Sequence, residues 1–209
     1  MVTGGSRPSG IGFAVARRLT AEGGRRGGHR QPPQGCCLRR AAESLRTPWQ
    51  GNLRPGRRHD RGRTAARLVT TAVAEFGAAS DGAFNNAGGV NASGPDLDRR
   101  HGQLEAELTQ NVTSVFHCLK YQIPAVLETG GAIVNNASNM GVVALPEAAP
   151  YVAAKHAVVG LTRSVALEVA DRGVRVNAIT TGGVATPLRG GRGWPPHRRR
   201  WPTSSRCTP

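Results

Sequence analysis

The chain is expected to fold as an α/β domain in which helices pack on the faces of a parallel sheet. Three observations carry this. Short apolar runs that suit buried strands alternate with segments of helical period. The length, 209 residues, is that of one domain with one core. A glycine-rich turn, Thr3-Gly4 followed by Gly10-Ile11-Gly12, joins the end of a strand to a helix.

Taken in order, Met1 and Val2 end a strand, and Ile11, Val15 and Leu19 recur at four-residue steps, predicting a helix to about Glu22. Over residues 24–63 neither helical nor strand period holds, and Pro32, Pro33, Pro48 and Pro55 interrupt any regular element, so irregular chain is expected. Ala65, Leu68, Val69, Ala72, Val73 and Phe76 make a helical stripe over residues 64–77, closed by Gly77. Residues 82–84 read as a short strand leading into Asn85-Asn86-Ala87-Gly88. A long helix is expected within 104–128, starting after Gly102 and bent or ended near Pro124. Residues 131–137 suit a buried strand, 151–170 a long apolar helix and 174–179 a further strand. Beyond Leu188 the chain is Gly, Arg, Pro and Trp without period. Residues 189–209 are therefore expected to be a disordered basic tail behind a domain of residues 1–188.

Charge is unevenly placed. The formal net charge is +15, but residues 24–63 carry 11 Arg against Glu43 and Asp60, and residues 189–209 carry six Arg and no acid. The remainder nets zero, which argues against a nucleic-acid partner despite Trp49, Trp194 and Trp201 as possible stacking platforms. No apolar run behind a basic start marks a secretory signal and none reaches the roughly 18 residues of a membrane span, so a cytoplasmic protein without a membrane partner is expected. Cys36, Cys37, Cys118 and Cys207 lack metal-ligand spacing, and no metal is expected.

The residues suited to chemistry cluster late in the chain. Tyr151 and Lys155 stand four apart at the start of a helix, on one face. An ammonium about 4 Å from a phenol, in a partly screened site, is worth on the order of 4 kcal/mol, enough to draw the phenol from its usual pKa of about 10 toward neutrality. Ser138 follows the strand of residues 131–137, and strand C-termini of a parallel sheet line its ligand crevice. Asn111 lies within a helix, where an amide is a mediocre helix former. Helix N-termini after glycine turns offer unpaired N–H groups to a phosphate.

Together these residues resemble the short-chain dehydrogenase/reductase family. Thr3-Gly4 with Gly10-Ile11-Gly12 is similar to its cofactor loop and Asn86-Ala87-Gly88 to its motif after a strand. Asn111, Ser138, Tyr151 and Lys155 match its catalytic tetrad in order, and Val176-Asn177-Ala178 with Thr186-Pro187 its nicotinamide cradle. The resemblance covers residues 1–23 and 64–188. It implies a Rossmann-like, doubly wound sheet and NAD- or NADP-dependent interconversion of a secondary alcohol and a ketone, a small-molecule substrate. Tyr151 would exchange the proton and Ser138 orient the substrate oxygen. Lys155 would hold the ribose and lower the tyrosine pKa, and Asn111 would anchor a relay water. Arg7, Val184 and Thr186 join the cofactor-binding set, and a homotetramer or homodimer is implied.

Departures from the pattern concern the cofactor. Five residues, with Pro8-Ser9 as the extra pair, separate Gly4 from Gly10, and Pro8 removes a backbone donor. Residues 24–63 stand where the family has its second and third strands, so the sheet is expected to be incomplete, with a truncated first strand. Moved one base on, the codons of residues 57–62 can spell Asp-Val-Thr-Thr-Glu and those of residues 23–30 a valine-rich strand, as an out-of-frame reading would produce. Thr181-Gly182 stands in place of the family's Pro-Gly. Two alternatives follow: a catalytically impaired remnant with poor cofactor binding, and nucleic-acid binding through the arginine-rich segments.

Overall fold

The structure is a computed structural model that describes residues 1–5, 9–22, 60–76, 80–91, 95, 102–184 and 186. Three parallel strands, β1 (Gly82–Asn85), β2 (Ala132–Asn136) and β3 (Arg175–Ile179), form one sheet in that order. The register sets Asn85 beside Asn135 and Asn136 beside Ile179. Parallel neighbours need crossover connections, so all three strands release their chain at the same edge. The first strand is reduced, as expected, to one parallel bridge from Val2 to Phe84, on the side of β1 away from β2. Thr3 N–H donates to the Phe84 carbonyl at 3.0 Å, and the Met1 ammonium to the Gly82 carbonyl at 2.7 Å.

Helices supply the crossovers. Helix α1 (Ile11–Ala21) keeps the predicted stripe, but Val15 is half-buried and Leu19 exposed, so among the described residues the stripe is only partly covered. Helix α2 runs Asp60–Phe76. It begins four residues earlier than the apolar stripe, which corrects the last four residues of the segment expected to be irregular. Periodicity marks only the buried part of a helix, and arginine is itself a good helix former. Gly62 lies close against α4 (Ser114–Leu127), where an added Cβ would stand 3.3 Å from the His117 ring. Residues 24–59, the predicted cap Gly77 and the tail 189–209 lie outside the described residues.

The helix expected over 104–128 is three pieces: α3 (Gln103–Leu108), a π-helical turn (Thr109–Thr113) and α4. It starts just after Gly102, whose positive φ of 86° suits glycine. Pro124 does not end it. A proline removes one intrahelical hydrogen bond, and α4 continues to Leu127; the irregularity sits instead at the π turn. Helix α5 (Ala149–Val169) opens with Pro150 in its first turn, where a missing N–H costs nothing. A 3-10 turn (Ala170–Arg172) and Gly173 at φ 74° lead into β3.

Among the described residues, the larger of two apolar clusters ties the sheet to α4 and α5. Leu119 and Val126 from α4, Ile133 from β2, Val158 from α5 and Val176 from β3 are buried in a single cluster. Helix α2 covers α4, and α5 packs on β3.

Candidate active site

The end of β2 and the first turns of α5 bring the predicted residues together. Ser138 follows β2 in extended backbone; its Oγ accepts the Met140 N–H at 3.2 Å and donates to Asn139 Oδ1 at 3.1 Å. A short 3-10 turn, Asn139–Gly141, starts the return to α5. Tyr151 is 9% and Lys155 6% exposed. Lys155 Nζ stands 5.5 Å from the centre of the Tyr151 ring, within cation–π range, and donates to the Asn136 carbonyl at 3.1 Å.

Asn111 reaches the same place from the π turn, an irregularity often found at functional sites. It is 1% exposed and clasps the loop after β1, accepting Gly89 N–H at 3.1 Å and donating to the Gly89 carbonyl at 2.9 Å. Its amide also donates to Glu107 Oε2 at 2.8 Å. A Cβ placed on Gly88 would lie 2.7 Å from Asn111 Oδ1, so glycine lets Asn111 close on the loop, and Lys155 Nζ would stand in ordinary contact at 3.7 Å.

Electrostatics correct one expectation. Tyr151 was expected to be drawn toward neutrality by Lys155. Its pKa is instead raised above the ordinary 10.0, because burial penalises the phenolate; a hydrogen bond with Ser138 lowers it and the Glu107 charge raises it further. Burial also lowers Lys155 from 10.5 to about 8, against the opposing pull of Glu107. The attraction of an ammonium can depress the phenol only until desolvation pushes back, and at this depth of burial desolvation is the largest cause.

The glycine turn is tied to the same edge. Thr3 Oγ1 accepts the N–H groups of Asn86 at 2.9 Å and Ala87 at 3.1 Å, and Asn86 Nδ2 donates to the Gly4 carbonyl at 3.2 Å. Gly10 offers its carbonyl to Ala14 N–H at 3.1 Å, so Gly10, Ile11 and Gly12 form the start of α1. A Cβ on Gly12 would come within 2.6 Å of the Gly4 carbonyl oxygen. Among the described residues, Gly4, Gly10 and Gly12 line the approach to this helix N-terminus, which fits a pyrophosphate-bearing cofactor. Arg7 lies outside the described residues. Val184, which is exposed, and Thr186 follow β3, and among the described residues no hydrogen bond links them to the other predicted groups.

Sequence reasoning missed three polar participants. Asn136 donates to Asn86 Oδ1 at 2.8 Å and accepts the Thr181 hydroxyl, so the residue standing in place of proline braces the sheet edge. Glu107, 2% exposed, is the third. Its position four residues before Asn111 is the same helical spacing that singled out Tyr151 and Lys155, and was the available signal.

Parallel strands, crossover helices and a glycine turn at one sheet edge define a Rossmann-like α/β fold. The chain belongs to the short-chain dehydrogenase/reductase family: the family model described as enoyl-(acyl carrier protein) reductase matches residues 4–201. It is 47% identical over 123 residues to 2,5-dichloro-2,5-cyclohexadiene-1,4-diol dehydrogenase of Sphingobium indicum, spanning 58% of this chain and 49% of that protein. Over 194 residues it is 34% identical to D-beta-hydroxybutyrate dehydrogenase of Cupriavidus necator, with 90% and 71% covered. The crystal structure of carveol dehydrogenase from Mycobacterium avium in complex with NAD matches with a TM-score of 0.59 at 30% identity, over 63% of this chain and 47% of that one. The chain thus spans about half the length of the first of these relatives. Among the described residues, no helix is long and apolar enough to cross a membrane.

Proposed function

We propose that the chain is a nicotinamide-dependent oxidoreductase that interconverts a secondary alcohol and a ketone, with Tyr151 as general acid and base. The observation that carries this is the convergence of a buried phenol, ammonium, hydroxyl and amide at one edge of the sheet, beside a glycine turn. NAD or NADP, when bound, supplies or accepts the hydride. Thr3, Gly4, Gly10, Ile11, Gly12, Asn86, Ala87 and Gly88 are the residues that would hold it, with Lys155 and Tyr151 at its reactive end.

Ser138 fixes the substrate oxygen beside Tyr151. In the alcohol-to-ketone direction the Tyr151 oxygen takes the hydroxyl proton, and in the reverse direction returns it. A raised tyrosine pKa suits the acid role, since the phenol stays protonated at neutral pH. Asn111 holds the Gly89 backbone in place behind this exchange. The substrate is apolar. Val142 and Val143 expose their side chains just past Ser138, while Met140 and Ala148 bury theirs against Tyr151. Phe116 on α4 and Leu167 on α5 are large apolar side chains left exposed, which supports a homodimer or homotetramer through these helices.

The direct test titrates NADH and NADPH by fluorescence, then assays a panel of apolar secondary alcohols with the oxidised cofactors. Saturable binding with turnover of at least one alcohol is expected. Absence of binding to either cofactor would overturn the reading.

A further inference from the structure

Helix α3 carries its residues the wrong way round for an amphipathic helix. Leu104 is exposed, while Glu107 is sealed at 2% exposure. A fully buried carboxylate is rare unless it is paired, and this one is surrounded by groups that suit an anion. Glu107 Oε1 accepts Asn91 N–H at 2.5 Å, and Oε2 accepts the Asn111 amide at 2.8 Å. The same amide returns to the Glu107 carbonyl at 3.2 Å, and Asn111 Oδ1 faces the point at Gly88 where Lys155 Nζ also arrives. One carboxylate therefore ties the loop after β1 to the π turn, and Asn111, which it holds, reaches the point at Gly88 that Lys155 Nζ also approaches.

We propose that Glu107 is a positioning residue of the active site, whose carboxylate clamps Asn111 and the Gly89–Asn91 backbone and provides the negative charge opposite Lys155. This rests on the reading of Tyr151 and Lys155 as the proton-handling pair. Burial alone drives a lysine toward its neutral form, and a neutral amine would leave Tyr151 without a cation. Glu107 opposes that loss and raises Lys155, while holding Tyr151 in its protonated state. The titratable groups that feel Glu107 from α5, the helix packed across from α3, are these two. On its own helix Glu105 is exposed, and the described part of the loop it binds gives it the Asn91 N–H.

The chain has two lysines, Lys120 and Lys155. A sample labelled with 13C-lysine therefore gives two side-chain signals, assigned with Lys120→Arg, and their titration needs no turnover. In the full chain the Lys155 midpoint is expected near 8; in Glu107→Gln, which keeps the shape and removes the charge, it should fall by about one pH unit or more. The pH profile of alcohol oxidation should move with it. An unmoved Lys155 midpoint in folded Glu107→Gln would overturn the proposal, even if the chain proves to be an active oxidoreductase. Conversely, a moved midpoint in a chain that turns over no alcohol would sink the catalytic reading and leave the charge pair standing. If Glu107→Gln does not fold, urea unfolding of Lys155→Met and of the Glu107→Gln/Lys155→Met double variant decides. A charge pair predicts the double variant to be the more stable of the two, and the reverse order contradicts it.

Discussion

Two buried polar clusters lie side by side in this molecule and do different work. In the first, Asn85 and Gln122 exchange two hydrogen bonds at 2.8 Å, Asn85 also donates to Asn135 at 2.9 Å, and Asn135 to Thr162 at 3.0 Å. Thr162 closes the chain on the Val158 carbonyl at 2.7 Å. None of these side chains titrates, so the network can only hold β1, β2, α4 and α5 in register. The second cluster, Glu107, Asn111, Ser138, Tyr151 and Lys155, is buried to a similar degree. It contains three ionisable groups, and burial moves its phenol and its ammonium away from their ordinary values. Buried polarity alone therefore says little about chemistry; buried groups that can change charge say much more.

The largest effect expected to separate the clusters is that of Tyr151→Phe, which should lower turnover on the order of 10³-fold while NADH titration stays near wild type. Gln122→Leu acts on the other cluster. It leaves Asn85 Oδ1 without its donor and should cost about 2–3 kcal/mol in urea unfolding, with the pH profile of turnover unchanged.

Lys155→Met gives a pH-dependent difference. The folded chain holds the Lys155 proton only to about pH 8, against 10.5 ordinarily, so the unfolded chain binds more protons between those values. Stability contributed at this position is therefore least below pH 8 and grows as pH rises toward 10.5. Wild type should gain on Lys155→Met by on the order of 2 kcal/mol between pH 7.5 and 10. The smallest effect is an inertness. Cys118 is buried, and burial pushes its thiol up to about 12. Peptide mapping after alkylation at pH 8 should find Cys118 unmodified until the chain is unfolded.

Much of the second cluster was legible because its spacing is local. Tyr151 and Lys155 share a helix face by their numbers alone, and Ser138 is placed by the end of a strand whose apolar run is plain in the sequence. Gln122 was not legible, and Glu107 only through its spacing from Asn111. Each sits in a helix as an ordinary polar residue, and only the packing of α3 and α4 against β1 and the loop after it buries them. The direction of the Tyr151 shift was missed for the same reason, since desolvation comes from the whole surrounding fold. The start of α2 at Asp60 escaped because arginines and Gly62 show no apolar period, although they form a helix once α4 is there to receive it.

Exchange of the substrate proton at Tyr151 is the central step, and the pH dependence of kcat/KM for alcohol oxidation reads it directly. A base that must first lose its own proton, with a pKa raised by burial, predicts a rate that climbs about tenfold per pH unit from the acid side. A flat profile from pH 6 to 10, or a climbing one that survives Tyr151→Phe at full amplitude, would contradict it.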